Sequence, residues 1–260
     1  MEKNLKQLQT TPGSGVIKIA LFGPESTGKT TLANQLSEHF NTVCVPEFAR
    51  DYLQEKWDKT AQICDVDDML PIAYGQTQLE NELLSKANKF LFCDTNLMVT
   101  KVFSEVYYNY CDPLLDKAAK NHEYDLVFLT DIDVPWEKDD LRDKPQGREA
   151  IFEVFKQTLI DTNNPFIILS GNKELRLKNA IQIITDLENA KKTGLSSRDF
   201  VQIFEHGISL DSIQNQLEIF KNGISKAILF EPATVSKGIL KLSENDFQSK
   251  SDFFDANKSN

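Results

Sequence analysis

The nonapeptide Gly23-Pro24-Glu25-Ser26-Thr27-Gly28-Lys29-Thr30-Thr31 constrains the fold more than any other stretch of this chain. It satisfies G-x-x-x-x-G-K-[ST], the spacing of a phosphate-binding P-loop. Its setting gives the match its weight. Before it, Val16-Ile17-Lys18-Ile19-Ala20-Leu21-Phe22 is an apolar, β-branched run that reads as a buried strand. After it, Leu32, Ala33, Leu36 and Phe40 recur at helical spacing and form an inward face. The two glycines let the backbone curl so that successive N–H groups converge on phosphate oxygens. The helix that follows adds its positive end. Gly23, Glu25, Ser26, Thr27, Gly28, Lys29, Thr30 and Thr31 are therefore the expected nucleotide-binding residues. Lys29 would face solvent and reach the β- and γ-phosphates of ATP, and the Thr30 hydroxyl would ligate Mg²⁺.

Four more short apolar runs follow, at 42–45, 90–93, 126–130 and 166–169. Helical periodicity separates them. A helix over about 73–88 turns Leu79, Leu83, Leu84 and Ala87 inward, and others cover about 96–120 and 147–161. A helix over about 173–190 turns Leu177, Ala180, Ile181 and Ile184 inward. Nearly all-apolar strands alternating with helices mean a parallel sheet covered on both faces. The expected fold is α/β: a three-layer P-loop NTPase fold with a five-stranded parallel sheet, plus a small, mainly helical C-terminal appendage. Ligands in such sheets sit at the carboxyl ends of the strands, so the polar residues there are the site candidates.

A net charge of −10 argues against a nucleic-acid partner, which needs a basic face. It suits a small-molecule enzyme kept soluble by self-repulsion. Cys44, Cys64, Cys93 and Cys111 form no C-x-x-C pair, and the three histidines offer no zinc spacing. Cys44 and Cys93 lie in apolar runs and read as reduced core residues. No apolar h-region or transmembrane-length run is visible, so the expectation is a cytoplasmic protein without a membrane partner.

Asp94 follows the third strand directly, the Walker-B position at which an acid faces the Mg²⁺ of a P-loop. The competing role, an N-cap for the next helix, suits an aspartate equally well, but the P-loop upstream favours the metal. Glu47 and Arg50 follow the second strand and would share one helix face. They are either a surface ion pair or, beside the P-loop, working residues. Arg142 and Arg148 flank Pro145-Gln146-Gly147 in a polar segment after the fourth strand, where a lid would carry positive charge to a transferring phosphoryl group. Asn172, in Gly171-Asn172-Lys173, lies where a nucleotide base would rest. Position 175 is Leu, so the stretch is not the N-K-x-D of guanine-binding proteins, and adenine is preferred.

Residues 14–190 resemble the nicotinamide riboside kinase domain of the bacterial NadR family, a branch of P-loop kinases. The matching stretches are the P-loop itself, Glu47-Phe-Ala-Arg-Asp-Tyr52, Asp94-Thr-Asn-Leu97, and Leu129-Thr-Asp-Ile-Asp-Val-Pro-Trp136 with Leu141-Arg-Asp143. The P-loop is common to many families; the last stretch is the specific one. The resemblance implies ATP-dependent phosphorylation of a riboside 5′-hydroxyl, giving nicotinamide mononucleotide. It implies that Glu47, Arg50, Asp94 and Asn96 line the riboside site, with Arg142 and Arg148 in the lid. Trp136 either stacks on the pyridine ring or is simply buried at a strand end. The family's adenylyltransferase and helix-turn-helix have no counterpart before residue 16, and no His-x-Gly-His is present, so the expected product is the mononucleotide only.

Thr193-Gly194 breaks the last core helix, so the kinase domain is expected over 14–192. A helical appendage at 195–244 follows. One helix opens at Ser196 with Phe200, Val201, Ile203 and Phe204 inward, and another opens at Leu210. An extended run lies at 227–235, and 245–260 is expected to be disordered. Gly207-Ile-Ser209 and Glu231-Pro-Ala-Thr-Val235 are similar to the opening of an uncharacterised bacterial protein family. Two functions compete. One is a small-nucleoside kinase. The other is a regulatory ATPase that switches a protein partner docked through the appendage.

Overall fold

The computed structural model describes residues 5–8, 15–136 and 147–205. Five parallel strands form one sheet in the order β2-β3-β1-β4-β5. They are β1 (Ile17–Phe22), β2 (Cys44–Val45), β3 (Phe90–Asp94), β4 (Leu126–Thr130) and β5 (Phe166–Leu169). Every residue of β1, β3 and β4 is buried, as expected for central strands covered on both faces. Chain order departs from spatial order at β1, which lies between β3 and β4. The register then sets the site. Leu21 pairs with Asp94 and Phe22 with Leu129, so the turn leaving β1 emerges between the carboxyl ends of β3 and β4.

Eight helices connect and flank the described strands: α1 (Lys29–His39), α2 (Phe48–Thr60), α3 (Met69–Leu84), α4 (Leu97–Tyr108), α5 (Pro113–Asn121), α6 (Arg148–Asp161), α7 (Lys173–Lys192) and α8 (Ser197–Glu205). Four sequence expectations need correction. The single helix expected over 96–120 is two. Asn109 adopts a left-handed φ of 50° and ends α4, and Asp112 caps α5 with Pro113 in its first turn. A proline ring blocks a continuous helix there. Second, α2 was legible only as a condition on Glu47 and Arg50. None of its residues is fully buried, so it writes no clear apolar stripe.

Third, the most buried face of α3 is not the leucine stripe. Gln76, Thr77 and Glu80 are buried with Met69, Ile72 and Ala73, while Leu79, Leu83, Leu84 and Ala87 pack half-buried on the same core. Polar side chains can occupy that face because each is satisfied; the Thr77 hydroxyl, for instance, donates to the Ala73 carbonyl at 2.9 Å. Fourth, Cys44 is half-buried, whereas Cys93 is fully buried.

Two compact units divide between Ile183 and Ile184, within α7. Gly194, at φ 88°, follows the end of that helix. In α8, Phe200, Val201 and Ile203 are buried, while Phe204 is exposed. Arg142, the helix from Leu210, the run at 227–235 and the tail at 245–260 lie outside the described residues. Among the described residues no helix is long and apolar enough to cross a membrane.

Away from the carboxyl ends of the strands, a buried polar cluster ties β1 to α3. Glu80 accepts from Gln7 Nε2 at 2.6 Å and Tyr124 Oη at 2.7 Å, and Lys18 Nζ lies 3.9 Å from its carboxylate. The Lys18 and Glu80 side chains are 4% and 2% exposed, so this is an ion pair out of water. Burial pulls the Lys18 pKa down, against the pull of Glu80. Removing one partner of such a pair costs about 3–5 kcal/mol, whereas replacing both with apolar residues is often neutral. Glu80→Leu is therefore expected to destabilise the protein strongly in denaturant unfolding. Lys18→Met with Glu80→Leu should recover part of that loss, the remainder being the Gln7 amide and Tyr124 hydroxyl left without that acceptor.

Candidate active site

The P-loop turns by placing Gly23 at φ 136° and Gly28 at φ 82°, both in the left-handed region. At Gly23 a Cβ would sit 2.9 Å from Thr130 Oγ1 and 3.0 Å from the Thr130 carbonyl, so glycine is also required for the close approach to β4. Thr27 Oγ1 lies 2.7 Å from Thr130 Oγ1 and donates to the Pro24 carbonyl at 2.8 Å.

Lys29 departs from expectation. It is 9% exposed rather than solvent-facing, and its ammonium donates to the Gly23 carbonyl at 3.0 Å and the Pro24 carbonyl at 2.7 Å. An ammonium has three donors, and taken out of water it must find acceptors, which the curled loop presents. Glu25 and Ser26 are half-buried beside it, while Thr30 and Thr31 are exposed at the start of α1.

Asp94, at the end of β3, is 2% exposed. Burial pushes its carboxyl pKa up; a hydrogen bond from Thr30 and the charges of Lys29 and Arg50 oppose this to a lesser degree. Its Oδ1 is buried with no hydrogen-bond partner among the described residues. Hard oxygen donors from one carboxylate and one hydroxyl, one of them unsatisfied, fit Mg²⁺, which takes few protein ligands and completes its shell with phosphate and water. Thr95 follows at φ 80° and 4% exposure, a conformation that costs a non-glycine residue energy and collects at functional sites.

A cavity of about 730 Å³ runs from the P-loop past Glu47 and Arg50 into an apolar recess between α2, α3 and α4. Leu53, Met69, Ile72, Val99, Phe103 and Tyr107 line the recess. The Phe103 and Tyr107 rings stack with centroids 5.5 Å apart. Glu47 stands at the N-terminus of α2, and Arg50 lies one turn on. Gln76 brackets that turn: its Oε1 accepts from the Phe48 N–H at 2.9 Å and its Nε2 donates to the Pro46 carbonyl at 3.2 Å.

Other expected residues have different surroundings. Asn96 is 3% exposed, and its side chain caps α4 by accepting from the Val99 N–H at 3.1 Å; it does not line the cavity. It is thus the helix cap that Asp94 was weighed as. Trp136 is half-buried and off the cavity wall, and its indole N–H has no partner among the described residues. Asn172 lines the cavity while capping α7 through Leu175 N–H at 2.9 Å. Arg148 opens α6 and reaches the P-loop, donating to the Ser26 carbonyl at 3.3 Å and the Val134 carbonyl at 3.0 Å.

Sequence reasoning missed Arg176, Gln76 and the aromatic recess. Arg176 is 4% exposed and lines the cavity. One signal was available: a cation in the first turn of a helix opposes the helix dipole and needs another reason to be there.

The Asp94 carboxyl implies a pH-dependent cost. A carboxyl whose folded pKa lies above its unfolded value favours the fold only while protonated, and that contribution is lost as pH rises through the folded pKa. Nucleotide-free Asp94→Asn is therefore expected to melt above the parent protein at pH 7. The gap should narrow as pH falls below the folded pKa. Melting curves across that range check it.

Residues 18–176 match a family model described as an AAA domain, and residues 196–260 match a domain of unknown function (DUF4301). The trifunctional NAD biosynthesis/regulator protein NadR of Salmonella typhimurium is 27% identical over 172 residues, covering 65% of this chain and 42% of that protein. Its Escherichia coli counterpart is 30% identical over 149 residues, covering 55% of this chain and 36% of that protein. The chain thus spans less than half the length of these curated relatives. A crystal structure of NadR in complex with NR superposes with a TM-score of 0.54 at 22% identity, covering 70% of this chain and 53% of that one. NadR in complex with NAD and AMP-PNP gives 0.54 at 21% identity, over 70% and 51% of the two chains. These structures share the three-layer fold. With the P-loop between β1 and α1 and the family match covering more than half of its length, the chain belongs to the AAA-domain family of P-loop proteins and carries a NadR-like nucleotide-binding domain.

Proposed function

We propose that this chain transfers the γ-phosphoryl group of ATP to a hydroxyl of a small nucleoside, with nicotinamide riboside as the leading acceptor. One observation carries the reading: the cavity continues from the P-loop into an aromatic recess of its own, with Glu47 and Arg50 between them. A switch ATPase hydrolyses its nucleotide with water and does not require an apolar recess beyond its phosphate site. An aromatic base or pyridine ring uses one, because it stacks on such a wall. The similarity to NadR supports nicotinamide riboside within that class.

In this reading Lys29 and the loop amides bind the phosphates, Asn172 borders the base, and Thr30 and Asp94 would hold Mg²⁺. That ion, when bound, supplies charge neutralisation on the phosphate oxygens. Glu47 accepts the proton of the acceptor hydroxyl as its oxygen bonds to the γ-phosphorus and the bond to the β–γ bridging oxygen breaks. Arg50 orients the acceptor, and Arg142 and Arg148 are the lid arginines whose charge would offset that of the transferring group. The kinase module is 14–192, with 195–244 as an appendage.

Incubation with Mg-ATP and nicotinamide riboside is expected to give ADP and the mononucleotide in equal amounts, read by product mass analysis. ADP release should depend strongly on the acceptor. Glu47→Gln should lower turnover by about 10²-fold, the scale of losing a general base. ADP release at the same rate with no acceptor present would favour the switch ATPase instead.

A further inference from the structure

Arg176 is a buried guanidinium that no part of the proposed chemistry uses. It reaches the ends of three strands at once. Its Nη1 donates to the Thr27 carbonyl at 2.6 Å, its Nε to the Gly171 carbonyl at 2.8 Å and its Nη2 to the Asp131 carbonyl at 2.9 Å. Nη2 also pairs with the Asp133 carboxylate, whose other oxygen accepts from the Gly171 N–H. The loops after β1, β4 and β5 are thereby joined through one side chain.

We propose that Arg176, backed by Asp133, is a positioning residue that aims the Thr27–Gly28 peptide of the P-loop at phosphate. The physical reason lies in the peptide unit. In a trans peptide the carbonyl and the following N–H point in opposite directions on one rigid plane, and the described chain has no cis bond. Fixing the Thr27 carbonyl on one side therefore fixes the Gly28 N–H on the other. Arg176 is close enough to do this firmly, since a Cβ at Gly28 would sit 3.9 Å from its Nη1. Arg148 acts likewise on the next peptide back through the Ser26 carbonyl. A lysine could not replace Arg176. Its compact ammonium lacks the planar fork that spans acceptors on three loops.

The inference rests on the P-loop being a nucleotide site, so the test keeps the two apart. Full-length wild type, Arg176→Lys and Asp133→Asn are titrated with ADP and with inorganic tripolyphosphate, and each is melted without ligand. The expected result is ADP binding about 10-fold weaker in Arg176→Lys, the scale of a lost charge-assisted contact, and about 3-fold weaker in Asp133→Asn. Tripolyphosphate should weaken in parallel. A purely structural arginine would lower the melting temperature and leave both affinities in the folded protein unchanged, which overturns the assignment. Weaker ADP with unchanged tripolyphosphate would place the action on the base side through Gly171, and overturns it too. Should Arg176→Lys fail to fold, Asp133→Asn decides alone, and wild-type affinity there overturns the proposal. Wild type that binds neither probe would instead overturn the nucleotide reading, and this inference with it.

Discussion

Cations bound to the carbonyl side of the P-loop are the constraint on which the rest of the site depends. Lys29 takes the Gly23 and Pro24 carbonyls, Arg148 takes Ser26 and Arg176 takes Thr27. A curled loop of this kind leaves its carbonyls on one side and its amides on the other. Unless the carbonyl side is satisfied, the loop has no single conformation in which its amides converge. The three positive groups satisfy it and add favourable potential for an anion on the amide side. They come from α1, α6 and α7, so the loop's shape is set by elements far apart in sequence.

Stability and chemistry sit at opposite ends of β1. Near its start, Gln7 and Tyr124 hydrogen-bond the Glu80 carboxylate, and Lys18 Nζ, 3.9 Å away, balances its charge without a hydrogen bond among the described residues. Near its end, Asp94 is buried with one oxygen unsatisfied, and Thr95 holds a costly backbone conformation. An unsatisfied buried carboxylate destabilises the free protein and becomes useful when a cation and phosphates arrive. The register that pairs Leu21 with Asp94 places this cost beside the P-loop.

The central strands β1, β3 and β4 were legible because a strand covered on both faces is nearly all apolar, and the edge strand β5 was legible because its run Phe166-Ile167-Ile168-Leu169 is apolar too. The P-loop and Asp94 were legible because phosphate and metal chemistry demand residue types at fixed offsets. What was not legible has a common cause. Gln76, Glu80 and Arg176 are buried polar groups, each with partners 28 or more residues away. No local pattern marks a polar residue as satisfied by a distant one. α2 buries no residue fully and so has no clear stripe to read. Asn96 was assigned to the acceptor by resemblance, but the turn after β3 uses its side chain to start α4.

The P-loop amides are the phosphate-binding groups of the proposed site, and NMR observes them directly. Backbone amide resonances of Thr27, Gly28, Lys29 and Thr30 should be followed as Mg-ADP is added to the full chain. Large, saturable downfield proton shifts are expected at Gly28 and Lys29, absent with adenosine, as these amides take phosphate oxygens as acceptors. Amides that do not move at saturating Mg-ADP, or that move equally with adenosine, would contradict this assignment.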